Sequence, residues 1–324
     1  MDRTAAPHPD AHTGNPTSPS AMGRLGRRAL AIVLLSLCGA VQALPAPGGA
    51  CALAAVPGES LIDVPFERVD GRIYLAVQVN DAGTFRFAVD TGASGIARAD
   101  TRLVRALRLP PGDSTTHSDG VRVADASTVR FDALALGGVR RQGVVAITRG
   151  YNARQSGAAA FDGILAREFF DDGTLVLDFA HQRLRFRRDL ALLPAQRDTL
   201  AYSRPYRVPV MIGTVAAEAQ LDTGANVALV LPTPLYERVS RTAVTPDDPL
   251  TLSHGQVESG RARLDVPVTV GNATLHTPEA RVSDRYPEAV IGAHALQDMT
   301  VLIDARSRRV ALCPSQAAEG PARR

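Results

Sequence analysis

Two copies of the same four residues, Asp-Thr-Gly-Ala, carry the strongest chemical signal in this sequence. Asp90-Thr91-Gly92-Ala93-Ser94 lies in the first half of the chain, and Asp222-Thr223-Gly224-Ala225-Asn226 lies in the second half. Two carboxylates within hydrogen-bond distance tend to share one proton, because both cannot easily be ionised. The charged member can accept a proton from water, while the protonated member donates one to a carbonyl oxygen. The repeated motif therefore predicts general acid–base hydrolysis by Asp90 and Asp222, with no metal and no cofactor.

The surroundings of the two motifs repeat as well. The spacing between the two Asp residues also relates Tyr74 to Tyr206 and Leu103 to Leu235. Further along, two apolar segments and two Asp-ending segments repeat: Ile164-Leu165-Ala166 with Val290-Ile291-Gly292, and 174–178 with 300–304. Each repeat spans about 110 residues, a normal domain size. The sequence predicts two similar lobes, residues 60–187 and 206–313, joined by a linker at 188–205.

The elements that position the motifs are predicted to be strands, hairpins and short helices. Residues 73–79 and 84–89 alternate as strands do and are joined by the turn residues Asn80-Asp81-Ala82-Gly83. The remaining predictions are hairpin arms at 133–136 and 266–270, and short helices at 100–109 and 234–241. The glycines of both motifs are expected to let the backbone turn tightly.

At the paired motifs the chain resembles the pepsin-like and retropepsin-like aspartic proteases, in particular bacterial forms with both lobes on one chain. The resemblance covers residues 60 to 312. It implies an all-β fold of two similar pepsin/retropepsin-like β lobes with short helices and the active site between them. It implies an aspartic endopeptidase whose catalytic pair acts on a water molecule. The residues implied are Asp90 and Asp222 as the pair, Thr91 and Thr223 locking the loops, and Gly92 and Gly224 in those loops.

Other segments agree with or depart from the family pattern. Ile164-Leu165-Ala166 and Val290-Ile291-Gly292 resemble its apolar-apolar-Gly strand, but Ala166 adds a methyl group where the family prefers Gly. No Tyr lies between Leu103 and Gly150, so a pepsin-type flap Tyr is missing there. The candidate flap tips, and so the candidate substrate-binding residues, are Asp119, Gly120, His254 and Gly255, for which plain surface turns are the alternative.

Composition and the N-terminus indicate where the protein acts. The chain has no Lys, and the Arg excess is concentrated near the start, which argues against nucleic-acid binding. Arg24, Arg27 and Arg28 precede the apolar run 29–41, a layout typical of a secretory signal peptide ending at Ala43. An uncleaved anchor and a later cleavage after Ala54 are the alternatives. We expect a periplasmic or secreted monomer that acts on a peptide or protein substrate, with no stable membrane span.

The segments outside the two lobes include the cysteines. Residues 44–59 are rich in Pro, Gly and Ala and are expected to be mobile, and the polar tail at 314–324 is expected to be disordered. Cleavage after Ala43 removes Cys38 and leaves Cys51 and Cys313, which can form a disulfide in an oxidising compartment. Cleavage after Ala54 would remove Cys51, so the sequence leaves this bond open.

The sequence favours neither a metal site nor a serine hydrolase. His117, His181, His254, His276 and His294 show no metal-ligand spacing, and Ser94 has no partner motif of a serine hydrolase. The competing hypothesis to an endopeptidase is a protease-like fold that has lost activity and binds peptides or envelope components.

Overall fold

The computed structural model describes residues 48–55, 58–153, 155, 157–252, 255–277 and 279–315, and most of their regular structure is β-strand. The predicted signal peptide at 1–43 lies outside the described residues, as do residues 316–324 of the predicted tail. No helix in the described part of the chain is long and apolar enough to cross a membrane.

The described residues of the first half of the chain form two short helices and eleven strands. In chain order they are α1 (Ala50–Ala55), β1 (Ile62–Pro65), β2 (Glu67–Val69), β3 (Arg72–Val79), β4 (Thr84–Asp90), β5 (Ala97–Asp100), α2 (Thr101–Ala106), β6 (Ser114–Ser118), β7 (Val123–Leu136), β8 (Val139–Arg149), β9 (Gly163–Ala166), β10 (Thr174–Asp178) and β11 (Arg183–Arg187). Single 3₁₀ turns occur at Tyr151–Ala153, Gly157–Ala159 and Arg167–Phe170.

In the second half, the residues that the structure describes form one helix and twelve strands. They are β12 (Leu200–Ala201), β13 (Arg207–Ile212), β14 (Val215–Asp222), β15 (Leu229–Pro232), α3 (Thr233–Val239), β16 (Thr245–Leu252), β17 (Gly255–Arg263), β18 (Val268–Val270), β19 (Ala273–Leu275), β20 (Glu279–Ser283), β21 (Ala289–Gly292), β22 (Met299–Asp304) and β23 (Arg309–Pro314). A 3₁₀ turn spans Ala293–Leu296. The predicted strands, hairpin arms and helices are all confirmed; β7 begins at Val123 rather than at the predicted 133, and the other ends differ by a few residues.

Local residue chemistry explains where these elements begin and end. On β3, Val77 and Val79 are buried while Ala76 and Gln78 are exposed, the alternation expected of a strand with one face on the core. Helix α2 begins where the Asp100 carboxylate accepts a 2.8 Å hydrogen bond from the Arg102 amide. It ends earlier than the predicted 109, because Leu107 caps it and Arg108 turns into the left-handed region with φ 50°.

The strands form three sheets. The first-half sheet has the order β2-β3-β4-β9-β5-β8-β7-β6, and the second-half sheet has the order β16-β17-β20-β15-β21-β14-β13-β18-β19. A base sheet, β1-β11-β10-β22-β23-β12, takes strands from both halves of the chain. One hydrophobic core extends through all three sheets and includes Phe87, Val208 and Ile303.

The strand order of the two large sheets is the same over seven strands. The run β3-β4-β9-β5-β8-β7-β6 corresponds to β13-β14-β21-β15-β20-β17-β16. The directions agree too, since β4 with β9 and β14 with β21 are parallel pairs, while β5 with β9 and β15 with β21 are antiparallel. The internal repeat of the sequence therefore corresponds to a repeat of topology.

The N-terminal segment differs from the prediction that residues 44–59 are mobile. Residues 50–55 form α1, whose first two amides donate to the Asp198 carboxylate at 2.5 and 2.8 Å. Cys51 forms a disulfide with Cys313 on β23, as the sequence allowed. This bond and the burial of Ala50 beside Leu302 order a segment whose composition alone favours mobility.

Candidate active site

Asp90 and Asp222 occupy equivalent positions at the ends of two strands. Asp90 is the last residue of β4 and lies opposite Ala166 of the parallel strand β9. Asp222 is the last residue of β14 and lies opposite Gly292 of the parallel strand β21. The structure brings the two carboxylates together, since each lies against the motif loop of the other and the charge of Asp90 acts on Asp222.

Thr91 and Thr223 join the two loops through four hydrogen bonds. The Thr91 amide donates to the Thr223 hydroxyl at 3.1 Å, and the Thr223 amide donates to the Thr91 hydroxyl at 3.0 Å. Each hydroxyl in turn donates to a strand carbonyl of the other half, Thr91 to Leu221 at 2.9 Å and Thr223 to Val89 at 2.8 Å. Both threonines are 1% exposed, so these bonds are protected from water. The bonds fix the distance between the two carboxylates.

Gly92 and Gly224 make room for the opposite carboxylates. Neither has a left-handed φ, so the tight turn expected from the sequence is not what requires glycine. A Cβ atom on Gly92 would lie 2.5 Å from Asp222 Oδ2, and one on Gly224 would lie 2.6 Å from Asp90 Oδ2. Any side chain at either position would therefore push the pair apart.

The electrostatics of the pair favour a retained proton. Burial raises the pKa of Asp222 to about 7, and the negative charge of Asp90 and its hydrogen bond add to this rise. The Gly224 amide, which donates to Asp222 Oδ1 at 2.9 Å, and the Arg72 guanidinium act in the opposite direction. A pair of this kind can hold one proton near neutral pH and both accept and donate protons.

Two arginines hold the motif loops from outside. Arg72 Nε donates to the Gly224 carbonyl at 2.7 Å, and its NH2 donates to Asn226 Oδ1 at 2.9 Å. Arg167 NH1 donates to the Gly92 carbonyl at 3.3 Å. Sequence reasoning missed both, although each lies a few residues from a repeated segment. They are positioning residues, because their hydrogen bonds hold the loops that carry the carboxylates, and the charge of Arg72 also acts on Asp222.

The methyl group of Ala166 fits its site. Ala166 is fully buried in a small apolar cluster with Ala93 and Phe161. At the equivalent Gly292, a Cβ atom would collide with the Val227 carbonyl oxygen. The first loop is therefore more open than the second at this point, and the departure from the family pattern does not displace Asp90.

The pair lies in a cavity of about 940 Å³ that two hairpin tips also line. Asp119 and Gly120 come from the turn between β6 and β7, and Gly255 begins β17. His254, the fourth predicted substrate-binding residue, lies outside the described residues. The tips meet where Arg122 NH2 donates to the Gln256 carbonyl at 3.3 Å.

Two tyrosines enter the cavity from unexpected segments. Tyr151 precedes β9 and stacks on Phe161 with ring centroids 5.6 Å apart, and Tyr286 precedes β21. Burial raises the pKa of both hydroxyls, and Asp90 for Tyr151 and Asp222 for Tyr286 add to the rise. Each tyrosine is thus within electrostatic range of one carboxylate. A flap tyrosine was considered only between Leu103 and Gly150, so neither Tyr151 nor Tyr286 was predicted from the sequence.

The remaining candidate residues lie elsewhere or have other partners. Ser94 lines the cavity, and His117 contacts Arg98. His181 and His294 contact Asp178 and Asp70, respectively. Among the described residues, one possible metal-ligand group is Cys51, Asp198 and Cys313, but its two sulfur atoms form the disulfide.

Comparison with known proteins supports an aspartyl protease family. A family model described as aspartyl protease matches residues 75–169, from β3 through the first motif to the end of β9 and the turn after it. No curated protein matches the chain significantly. The match contains Asp90 but not Asp222. The pairing of the second motif with the first therefore rests on the internal repeat and on the geometry.

Proposed function

We propose that this protein is an aspartic endopeptidase that hydrolyses peptide bonds with a water molecule activated between Asp90 and Asp222. The observation that carries the proposal is the paired arrangement: two carboxylates that lie against each other's motif loops, held by the hydrogen bonds between Thr91 and Thr223, in a cavity large enough for a peptide segment. The aspartyl protease match to the first half supports the same reaction class.

The reaction follows from one proton shared by the pair. The charged carboxylate accepts a proton from water as the water oxygen bonds to the peptide carbonyl carbon. The protonated carboxyl donates its proton to the carbonyl oxygen. Burial favours the neutral form of Asp222, so Asp222 holds the shared proton before attack. The tetrahedral intermediate then collapses, the C–N bond breaks, and a proton passes to the amine nitrogen.

The same proposal includes the arrangement and location of the protein. The two large sheets would be the two lobes of a pepsin/retropepsin-like protease, and both motifs on one chain would make a monomer sufficient. The Cys51–Cys313 disulfide supports a periplasmic or secreted location, because such bonds persist in oxidising compartments.

Substitution of either member of the pair tests the function. Asp90→Asn and Asp222→Asn should each abolish cleavage of a mixed peptide library followed by mass spectrometry, because an amide cannot exchange the shared proton. Asp132→Asn, at an exposed position on β7, is the matched control and should cleave normally. Turnover retained by a folded Asp90→Asn or Asp222→Asn protein would refute the assignment.

The assay also distinguishes the competing function. If the unmodified protein cleaves nothing but retains peptides from the library, a binding protein is favoured over an enzyme. Specific activity that stays constant on dilution supports a monomer, whereas activity that collapses at low concentration would contradict it.

A further inference from the structure

Arg98 is a buried cation that faces the cavity beside the catalytic pair. Its strand neighbours Ala97 and Ala99 belong to the core, so Arg98 points to the opposite face of β5, where it lines the cavity. The residue is only 5% exposed. Its NH1 lies 2.5 Å from His117 Nε2, and its Nε has no hydrogen-bond partner in the part of the chain that the structure describes. Within the described residues, no carboxylate forms an ion pair with Arg98.

A buried guanidinium without a carboxylate is unusual, because removing a charge from water is costly unless it is paired. The acid next to it on the same strand face, Asp100, is already engaged by the amides of Arg102 and Asn152. By contrast, Arg207, which lines the other side of the cavity, forms a two-point ion pair with Glu288. Within the described residues, Arg207 is therefore compensated by a carboxylate, whereas Arg98 forms no ion pair with one.

Two further groups face the same part of the cavity. Arg149, at the end of β8, is paired in register with Asp100 on β5 and lines the cavity. Its charge and that of Arg98 both act on the Tyr151 hydroxyl. Asp119 acts electrostatically on Arg149 from the hairpin tip. The group formed by Arg98, Arg149 and Tyr151 is termed the arginine subsite below.

The arginine subsite is separated from the catalytic pair by one intervening strand, β9. Arg98 is opposite Ile164 on β9, and Ile164 is opposite Ala88 on β4, two residues before Asp90. Strand spacing and rise place the Cα atoms of Arg98 and Asp90 about 12 Å apart. Ala88, Phe161 and Ile164 line the cavity around this region and provide an apolar wall. A side chain that is apolar along its stem and anionic at its end fits this surface.

We propose that the arginine subsite binds a carboxylate of the substrate, so that the enzyme prefers peptides with an acidic group close to the cleaved bond. The inference rests on the proposed endopeptidase function. The carboxylate can come from a Glu or Asp side chain or from the C-terminus of a short peptide. Either would accept hydrogen bonds from Arg98 and Tyr151 and supply the anion that the buried guanidinium lacks.

Peptide pairs that differ by one charge test the inference. Cleavage sites are first mapped, and each position around them is then varied between Glu and its neutral isostere Gln, with the C-terminus either free or amidated. A charge-assisted hydrogen bond is expected to give the Glu or free-acid peptide a kcat/KM about 10- to 100-fold higher. Dependence on the side chain or on the C-terminus identifies the source of the carboxylate.

Variants of the protein assign the preference to the subsite. Arg98→Gln should reduce the ratio for Glu over Gln to about one, and Arg149→Gln, at a half-buried position, should reduce it and provides the test if Arg98→Gln does not fold. Arg204→Gln removes an equal charge from an exposed position in the same cavity and should leave the ratio unchanged. An equal rate on Glu and Gln peptides, or a preference that survives both subsite variants, would overturn the inference.

The test separates this inference from the proposed function. If no peptide is cleaved, the endopeptidase proposal fails, while fluorescence anisotropy with labelled Glu and Gln peptides still measures whether the cavity prefers the acid. Tighter binding of the acidic peptide that is lost in Arg98→Gln supports the subsite, and equal binding rejects it.

Discussion

Removal of one threonine hydroxyl tests whether the two loops are held by their mutual hydrogen bonds. Thr223→Val keeps the shape of the side chain but removes the acceptor for the Thr91 amide and the donor to the Val89 carbonyl. Both partners are left in a region protected from water, where an unsatisfied polar group costs about 1–3 kcal/mol. The free energy of unfolding should therefore fall by about 2–6 kcal/mol. The rate of peptide cleavage should fall by about 100-fold, because the carboxylates lose their fixed separation.

Urea denaturation of the variant and of a matched control measures this effect. Thr128→Val, at a buried position where the hydroxyl donates once to the Asp113 carbonyl at 2.8 Å, should cost about half as much and leave cleavage nearly unchanged. Because Thr91 and Thr223 join the same two loops, the double variant should lose less stability than the two single losses together. A Thr223→Val protein within 0.5 kcal/mol of the unmodified protein, or additive losses, would refute the reasoning, since contacting residues couple by about 0.5–3 kcal/mol.

Four further predictions concern the pair and the disulfide. Since the pKa of Asp222 is raised to about 7, kcat/KM should fall as the pH rises through that value and the shared proton is lost, and a pH–rate profile that continues to rise above it would disagree. Because the raised pKa means that ionised Asp222 destabilises the folded state, Asp222→Asn should gain stability over the unmodified protein progressively as the pH rises from about 4 to about 7 and not below this range, as thermal unfolding at both ends of the range would show. Gly224→Ala should lower kcat by about 100-fold with a smaller loss of stability, because its methyl group displaces Asp90. Reduction of the Cys51–Cys313 bond should lower the unfolding free energy by about 2–4 kcal/mol, and an unchanged melting temperature in reductant would contradict this.

The sequence predicted those parts of the structure that leave a repeated or periodic pattern. The alternation at 73–79 and 84–89 corresponds to β3 and β4, and the repeat of Asp-Thr-Gly-Ala corresponds to two equivalent strand ends. The role of the motif glycines could not be read in this way. Glycine is required at these positions because the carboxylate of the opposite loop, which is far away in sequence, leaves no room for a Cβ atom.

Single residues without a pattern escaped prediction. Arg98 lies between two alanines on a four-residue strand. Only the sheet order shows that the side of this strand that carries Arg98 faces the cavity. Tyr151 and Tyr286 enter from segments before β9 and β21, whose paths depend on the tertiary fold. Helix α1 was missed because a composition rich in small residues favours mobility, whereas a covalent bond to β23 decides the outcome.

The pairing of β10 with β22 in the base sheet also bears on the origin of the chain. These strands are the sequence repeats of one another, and Val176 on β10 lies directly opposite its own counterpart, Leu302, on β22. A half-length ancestor could have made this contact between two identical copies, as an isologous dimer does. Joining the copies would free each half to change alone, so that one side of the cavity could acquire Arg98 while the other acquired the Arg207–Glu288 pair. The asymmetry of the cavity is then the result of divergence of the two halves after fusion.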